Sequence, residues 1–465
     1  MMKILAFINS DYSSWGLMVQ FGILSLMLLV ANIIRRKVKV FRTLLFPTAI
    51  IAGFLGLGLK YLIIGLNVTI QGEYLISNSF LEGITYHAIA IGFIAMGLKS
   101  VKKEGTNELK GRPFKTGLII VSTYLIQGAI GVIITIVTFN FFKGIAPFSG
   151  LLLPMGFGQG PGQANNIGGI FEQNGFIGGK SFGLAIATIG TIWSSVVGIY
   201  YINKKSGEGK VKRAREEESK DVKSEVIESK NEIPVSEAID KMSIQIIFVA
   251  VVYLFSYLFM EIITTLIKVE AITGLIWGFN FIFGMLFSLV FKVILNFLQK
   301  KGWMKRKYTN EYMLNRITGV VFDYMIVASI MAINVSMIAK AEFWITLLVL
   351  TTIGGFATYY YLRLVVKKTY PDYEHEAFAA LFGNLTGTAS NGIALLREID
   401  PDFKTPASDD LVTGSSTAVL FGAPILLITG IIYLDGWYYL WGSLALMIVL
   451  FFVFFYFLIR KDKAK

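Results

Sequence analysis

The residues of this chain with the chemistry of a binding site gather in positions 154–172, PMGFGQGPGQANNIGGIFE. Gly156, Gly158, Gly160 and Gly162 alternate there with Phe157, Gln159 and Pro161. Relative to alanine, glycine costs a helix about 1 kcal/mol per position and proline about 3. The backbone is therefore expected to be extended or looped. At membrane depth, unpaired backbone groups survive only where protein or a water-filled cavity satisfies them, so a polar break in an apolar sequence reads as the lining of a solute path. Gln163, Asn165 and Asn166 would then open the next short helix, whose free N–H groups favour anions.

A second copy follows 225 positions later, where Gly383, Gly387, Ala389 and Asn391 fall on Gly158, Gly162, Ala164 and Asn166, and Ser390 falls on Asn165. Each copy is followed by a carboxylate, Glu172 or Glu398. Small residues alone would serve close helix packing. Packing does not need the amides and hydroxyls clustered beside them: Gln159, Gln163, Asn165 and Asn166 in the first copy, and Asn384, Thr386, Thr388, Ser390 and Asn391 in the second. Both copies are therefore read as binding segments. A phosphate-cradling loop is excluded because the Gly-Lys-Ser/Thr ending is missing, and a dinucleotide fingerprint fails because position 161 is proline and 163 glutamine.

Among ionisable residues, Asp323 lies inside an apolar run, VVFDYMIV. A carboxylate at that depth is costly, and three readings stand for it: a sodium ligand, a proton carrier, or a structural aspartate in a salt bridge or hydrogen bond. Arg397 closes the second copy and either belongs to a solvated loop or holds a substrate carboxylate in a bidentate way. His87 reads as a packing residue or a proton relay, and Lys99 as a snorkelling residue at a span end. Thr413, Ser415, Ser416 and Thr417 would supply hydroxyl ligands or bond back to their own helix. There is no cysteine, and His87 and His375 are too far apart for a histidine-based metal motif. No His-Glu-x-x-His helix, Ser/His/Asp set or paired-aspartate motif is visible, so an enzyme is not expected.

These residues must be positioned by helices in a bilayer. At 465 residues, 54% of them hydrophobic, the chain is too apolar for a soluble protein and is read as an all-α polytopic membrane protein. The net charge of +12 is assigned to basic cytoplasmic loops, and nucleic acid is not an expected partner. Eleven apolar spans are expected, at 15–34, 44–64, 84–98, 117–142, 182–202, 244–267, 272–297, 317–338, 343–366, 411–434 and 437–459. Residues 204–241 are dense in Lys, Arg and Glu, too poor in apolar surface to fold alone, and form a cytoplasmic linker with helical charge spacing over 213–230.

The basic loops follow spans one, three, five, seven and nine. They share one face only if neither glycine-rich segment crosses, which puts the N-terminus outside and the C-terminus in the cytoplasm. The domains are then a first repeat at 1–203 with a re-entrant loop at about 147–172, the linker, a second repeat at 242–434 with a loop at about 377–398, and an extra span with a basic tail at 435–465. Each repeat has five crossings, so the second is inverted relative to the first. Re-entrant loops meeting from opposite faces are the layout of secondary transporters that bind solute at broken helices.

At these residues the chain resembles the sodium/glutamate symporter family, bacterial carriers with two inverted five-span halves and a glycine-rich re-entrant loop in each. The resemblance is carried by Phe157-Gly158-Gln159-Gly160-Pro161-Gly162-Gln163-Ala164, which is similar to that family's Gly-Gly-His-Gly-Thr-Gly-Ala-Ala, and more weakly by Gly387, Ile393 and Ala394. Gln159 stands where the family has histidine and Pro161 where it has threonine.

The resemblance implies sodium-coupled uptake of glutamate or a related acidic amino acid or carboxylate across the bacterial plasma membrane. It implies a homodimer in lipid and an elevator-type motion carrying both loops. Sodium would be the coupling ion, held by backbone carbonyls near Gly158–Gly162 and Gly383–Gly387 with hydroxyls and Asp323, and no other cofactor is expected. The alternatives are a proton-coupled carrier or exporter of another small organic anion, leaning on Asp323 and His87, and a non-transporting membrane sensor or scaffold.

Overall fold

The computed structural model describes residues 12–44, 46–70, 73–99, 111–212, 240–267, 270–304, 306, 308–401 and 404–460. Its first part holds α1 (Tyr12–Lys37), α2 (Lys39–Thr43), α3 (Thr48–Gly65), α4 (Asn78–Leu98), α5 (Arg112–Phe141), α6 (Leu152–Gly158), α7 (Pro161–Gln173) and α8 (Gly179–Gly207). Then come α9 (Lys241–Ile267), α10 (Glu270–Gly278), α11 (Asn280–Lys300), α12 (Glu311–Ala332), α13 (Val335–Ile338) and α14 (Ala341–Thr369). The chain continues with α15 (Glu374–Thr386), α16 (Ala389–Arg397), α17 (Ala407–Phe421), α18 (Ala423–Ile431) and α19 (Trp437–Ile459). Two short paired strands, β1 (Thr69–Ile70) and β2 (Glu73–Tyr74), join α3 to α4. Most of the linker, including the stretch expected to be helical, lies outside the described residues.

Among the described residues, ten helices are long and apolar enough to cross a membrane, so this is a multi-pass membrane protein. Their outer faces carry bare apolar side chains: Leu17 of α1, Leu254 and Ile262 of α9 and Phe452 of α19 each leave more than half of their surface uncovered. Lipid is the solvent that tolerates such faces.

Three expectations need correction. The expected span 411–434 is two helices, α17 and α18, because Pro424 supplies no N–H and crowds the preceding turn, and Gly422 falls between them. The expected span 272–297 is likewise split, at Phe279. Nothing in the local sequence forces that split; neighbouring helices hold it, since Asn166 Nδ2 donates to the Gly278 carbonyl (2.9 Å) and Asn280 Nδ2 to the Tyr86 carbonyl (3.2 Å). Finally, the glycine-rich stretch is not a long loop: helix runs through Gly158 and resumes at Pro161, leaving only Gln159 and Gly160 outside. Proline is tolerated there because the first helical position has no intrahelical partner for its N–H.

The helices pack as two bundles. In one, α3 and α4 lie against α12, α4 against α11, and α1 and α9 flank them. In the other, α5 is the axis, with α14, α17 and α19 along it and α6, α7, α8, α15 and α16 gathered on one side. The two broken pairs enter this second bundle from opposite ends of α5. The pair α6–α7 follows the C-terminus of α5 through a 3₁₀ turn at Pro147–Leu151. The pair α15–α16 begins where the Tyr370 hydroxyl meets Thr116 Oγ1, in the first turns of α5.

Candidate functional site

The two breaks meet. A Cβ built on Gly160 would lie 3.4 Å from the Thr388 methyl and 3.8 Å from the Gly387 carbonyl oxygen. Gly160 sits at φ +82° and ψ −175° as the N-cap of α7, with no side chain capping the helix behind it. That region of backbone space is open essentially to glycine alone. Thr388 occupies the equivalent place before α16, and its Oγ1 accepts from the Asn391 N–H (3.4 Å). The N-terminal ends of α7 and α16 therefore start side by side, each carrying roughly half an elementary positive charge.

One face of α5 holds both breaks in place. The Tyr124 hydroxyl donates to the Gly158 carbonyl (3.0 Å), and Gln127 Nε2 donates to the Leu385 carbonyl and to Thr358 Oγ1 (both 2.9 Å). Residues three apart on a helix share a face, so neighbouring side chains reach one carbonyl in each break. Gly158 is small because the Tyr124 ring occupies the space a Cβ would need. Gly160 O accepts from Ala164 N–H (3.2 Å) and Gly383 O from Gly387 N–H (3.1 Å). Four of the break carbonyls expected to be bare for sodium, those of Gly158, Gly160, Gly383 and Leu385, thus already have donors.

Beside the breaks lies a cavity of about 100 Å³ between the two bundles. Its polar wall is Gln159, Asn384 and Thr388 from the breaks, with Tyr124 and Ser415; its apolar wall includes Phe93, Phe281, Phe322, Met325 and Ile425. Gly158, Gln159, Asn384 and Thr388 are thus brought together as expected. Gly162 packs on Ile89 and Met325, and Thr386 Oγ1 bonds back to the Phe382 carbonyl (2.7 Å). Gly387 caps the end of α15.

The buried amides behave differently from one another. Gln163 is fully buried, and neither atom of its amide has a hydrogen-bond partner among the described residues. The side-chain oxygens of Asn165 and Asn166 and the Asn391 Nδ2 are also unpaired there, while Asn166 Nδ2 is committed to Gly278.

Gly160, Gly162, Gln163, Asn165, Asn166, Thr386, Gly387 and Asn391 are not part of the cavity lining, and three further expected residues are exposed away from it. Ser390 is exposed on the far side of α16, and Arg397 is exposed at that helix's other end. Asp323 is exposed on α12, although Phe322 and Met325 of the same helix line the cavity. Helical periodicity turns each successive residue by about 100°, which takes the carboxylate off the lining face. Of the hydroxyl run, Ser415 reaches the cavity, whereas Thr417 Oγ1 bonds to the Pro113 carbonyl (2.6 Å) and Thr413 Oγ1 to its own helix at Asp409 (2.7 Å). His87 Nδ1 pairs with the Tyr253 hydroxyl (2.7 Å), outside the cavity.

Tyr124, Gln127 and the phenylalanine wall were not expected. Their only signal in the sequence is a polar pair at helical spacing within a long apolar span. No protein-family model matches the chain, and no curated protein is significantly similar to it.

Proposed function

We propose that this protein is a cation-coupled secondary transporter of a small organic anion, in which the bundle built on α5 carries the substrate past the other bundle. The observation that carries the proposal is the convergence of two helix breaks, entering from opposite ends of α5, on one cavity between the bundles. Broken helices whose N-terminal dipoles point at a shared site are the recurring solution for anionic solutes in such carriers. In this reading the two halves are inverted repeats, α6–α7 and α15–α16 are re-entrant, and the packing of α4 on α11 has its counterpart in α12 on α3.

The resemblance to sodium/glutamate symporters supports sodium as the coupling ion, glutamate as the first solute to try, and a homodimer in a bacterial plasma membrane with the N-terminus outside. Sodium would bind through oxygens near the breaks; the unpaired amide oxygens of Gln163, Asn165 and Asn166 are of the hard type it prefers. Asp323, on the outward face of α12, is not needed for that role.

The test is uptake of labelled carboxylates, glutamate among them, into liposomes holding the purified protein, with and without an inward sodium gradient. Gradient-driven accumulation is expected. A protein that accumulates no organic anion under either a sodium or a proton gradient is not this transporter.

A further inference from the structure

Resting on the transport reading above and narrowing its substrate, we infer that the cavity takes a monocarboxylate with a short apolar body and no ammonium group. No Asp, Glu, Lys, Arg or His lines the cavity among the described residues. Glutamate brings two carboxylates and an ammonium, and each needs its own counter-group once water is removed. The cavity provides for one charge of one sign. The N-termini of α7 and α16 meet at Gly160 and Thr388, and together they offset about one negative charge.

A second, independent feature points at a carboxylate. Asn384 is only 6% exposed, lines the cavity, and its side-chain amide has no hydrogen-bond partner among the described residues. Its N–H₂ can donate to a carboxylate oxygen where the helix ends already favour negative charge. Arg397, the residue otherwise suited to clamp a second carboxylate, sits exposed at the opposite end of α16.

The lining favours an apolar body over an ammonium. A buried ammonium calls for a carboxylate partner, none lines the cavity among the described residues, and the Gly158 carbonyl on its wall already accepts from the Tyr124 hydroxyl. Opposite the amides stand Phe93, Phe281, Phe322, Met325 and Ile425, a wall that gains from apolar contact and offers no donor to a second carboxylate. A volume of about 100 Å³ suits a body of a few carbons.

The experiment compares four acids that differ only in the features at issue. 4-Methyl-2-oxopentanoate has one carboxylate and a branched body; leucine adds the ammonium; 2-oxoglutarate replaces the branched end by a second carboxylate; glutamate carries both changes. Thermal unfolding of the purified full chain gives binding, and uptake into liposomes under sodium and proton gradients gives transport. The branched 2-oxo acid is expected to bind at least tenfold more tightly than the other three and to be the one accumulated, and Asn384→Leu is expected to abolish its thermal shift. Accumulation of glutamate or 2-oxoglutarate, with the branched acid neither bound nor carried, overturns the substrate class and leaves the transporter standing. Leucine bound as tightly as its 2-oxo acid overturns the exclusion of the ammonium. If none of the four binds or accumulates under either gradient, the substrate class falls, and the transport reading is decided separately by the uptake of other labelled carboxylates.

Discussion

The two breaks do the same job with different parts. The second has a side-chain cap, Thr388, whose own hydroxyl accepts at the start of α16, and Gly387 sits at a negative φ of −137°. The first depends on glycine, with Gly160 at φ +82° and no side-chain cap, and it is backed by a buried amide, Gln163, that no described residue satisfies. A helix end without a cap leaves its first N–H groups unspent. The first break thus relies on glycine and has no side-chain cap, whereas the second has a cap and carries amide groups of its own that are unpaired among the described residues, Asn384 at the cavity and Asn391 Nδ2.

Substitutions can break that contrast. Gly160→Ala is expected to have the largest effect, destabilising the protein by about 1–3 kcal/mol through backbone strain and lowering uptake at least tenfold. Gly387→Ala, at negative φ, must displace the Asn391 side chain and press on the Gly383 carbonyl oxygen at 3.1 Å and should cost less; equal losses of melting temperature in the two variants would erase the distinction. Gln163→Leu should act in the opposite direction. Removing an unsatisfied buried amide relieves a penalty of about 1–3 kcal/mol, so the melting temperature rises while sodium-dependent uptake falls.

Thr388→Ala removes the hydroxyl cap of α16 and should cost about 1 kcal/mol, read as a lower melting temperature. The smallest effect is expected from Asp323→Asn. Its carboxylate lies off the cavity, so the sodium dependence of uptake should be unchanged; a shifted sodium dependence would move the ion site from the breaks to α12.

Much of the fold is legible in the sequence because apolar length is a strong signal. The span expected at 437–459 and the helix Trp437–Ile459 coincide. The breaks are legible in place but not in width, because summed helix propensities count Pro161 as a breaker when its position at the start of α7 makes it a starter. The interruption at Phe279 is illegible, since the hydrogen bonds that hold it come from Asn166 and Tyr86, far away in the chain. For the site, sequence depth identified Asp323 but not the face it occupies, and the proximity of Arg397 to the second copy in sequence did not survive the length of α16. Tyr124 and Gln127 stand out only once each has a carbonyl opposite it.

Among the described residues, three polar ties link the bundles at the end from which α6–α7 enters: Lys180 Nζ to Glu82 Oε2 at 2.6 Å, Asn166 Nδ2 to the Gly278 carbonyl at 2.9 Å, and the Asn334 N–H to Ser181 Oγ at 3.0 Å. They act as a clasp. Sliding the α5 bundle by one helical turn, about 5.4 Å, would have to open all three together. Because the Lys180–Glu82 pair keeps about a third of each side chain in contact with solvent, salt screens it. Ionic strength therefore loosens one member of the clasp and leaves the two neutral hydrogen bonds in place.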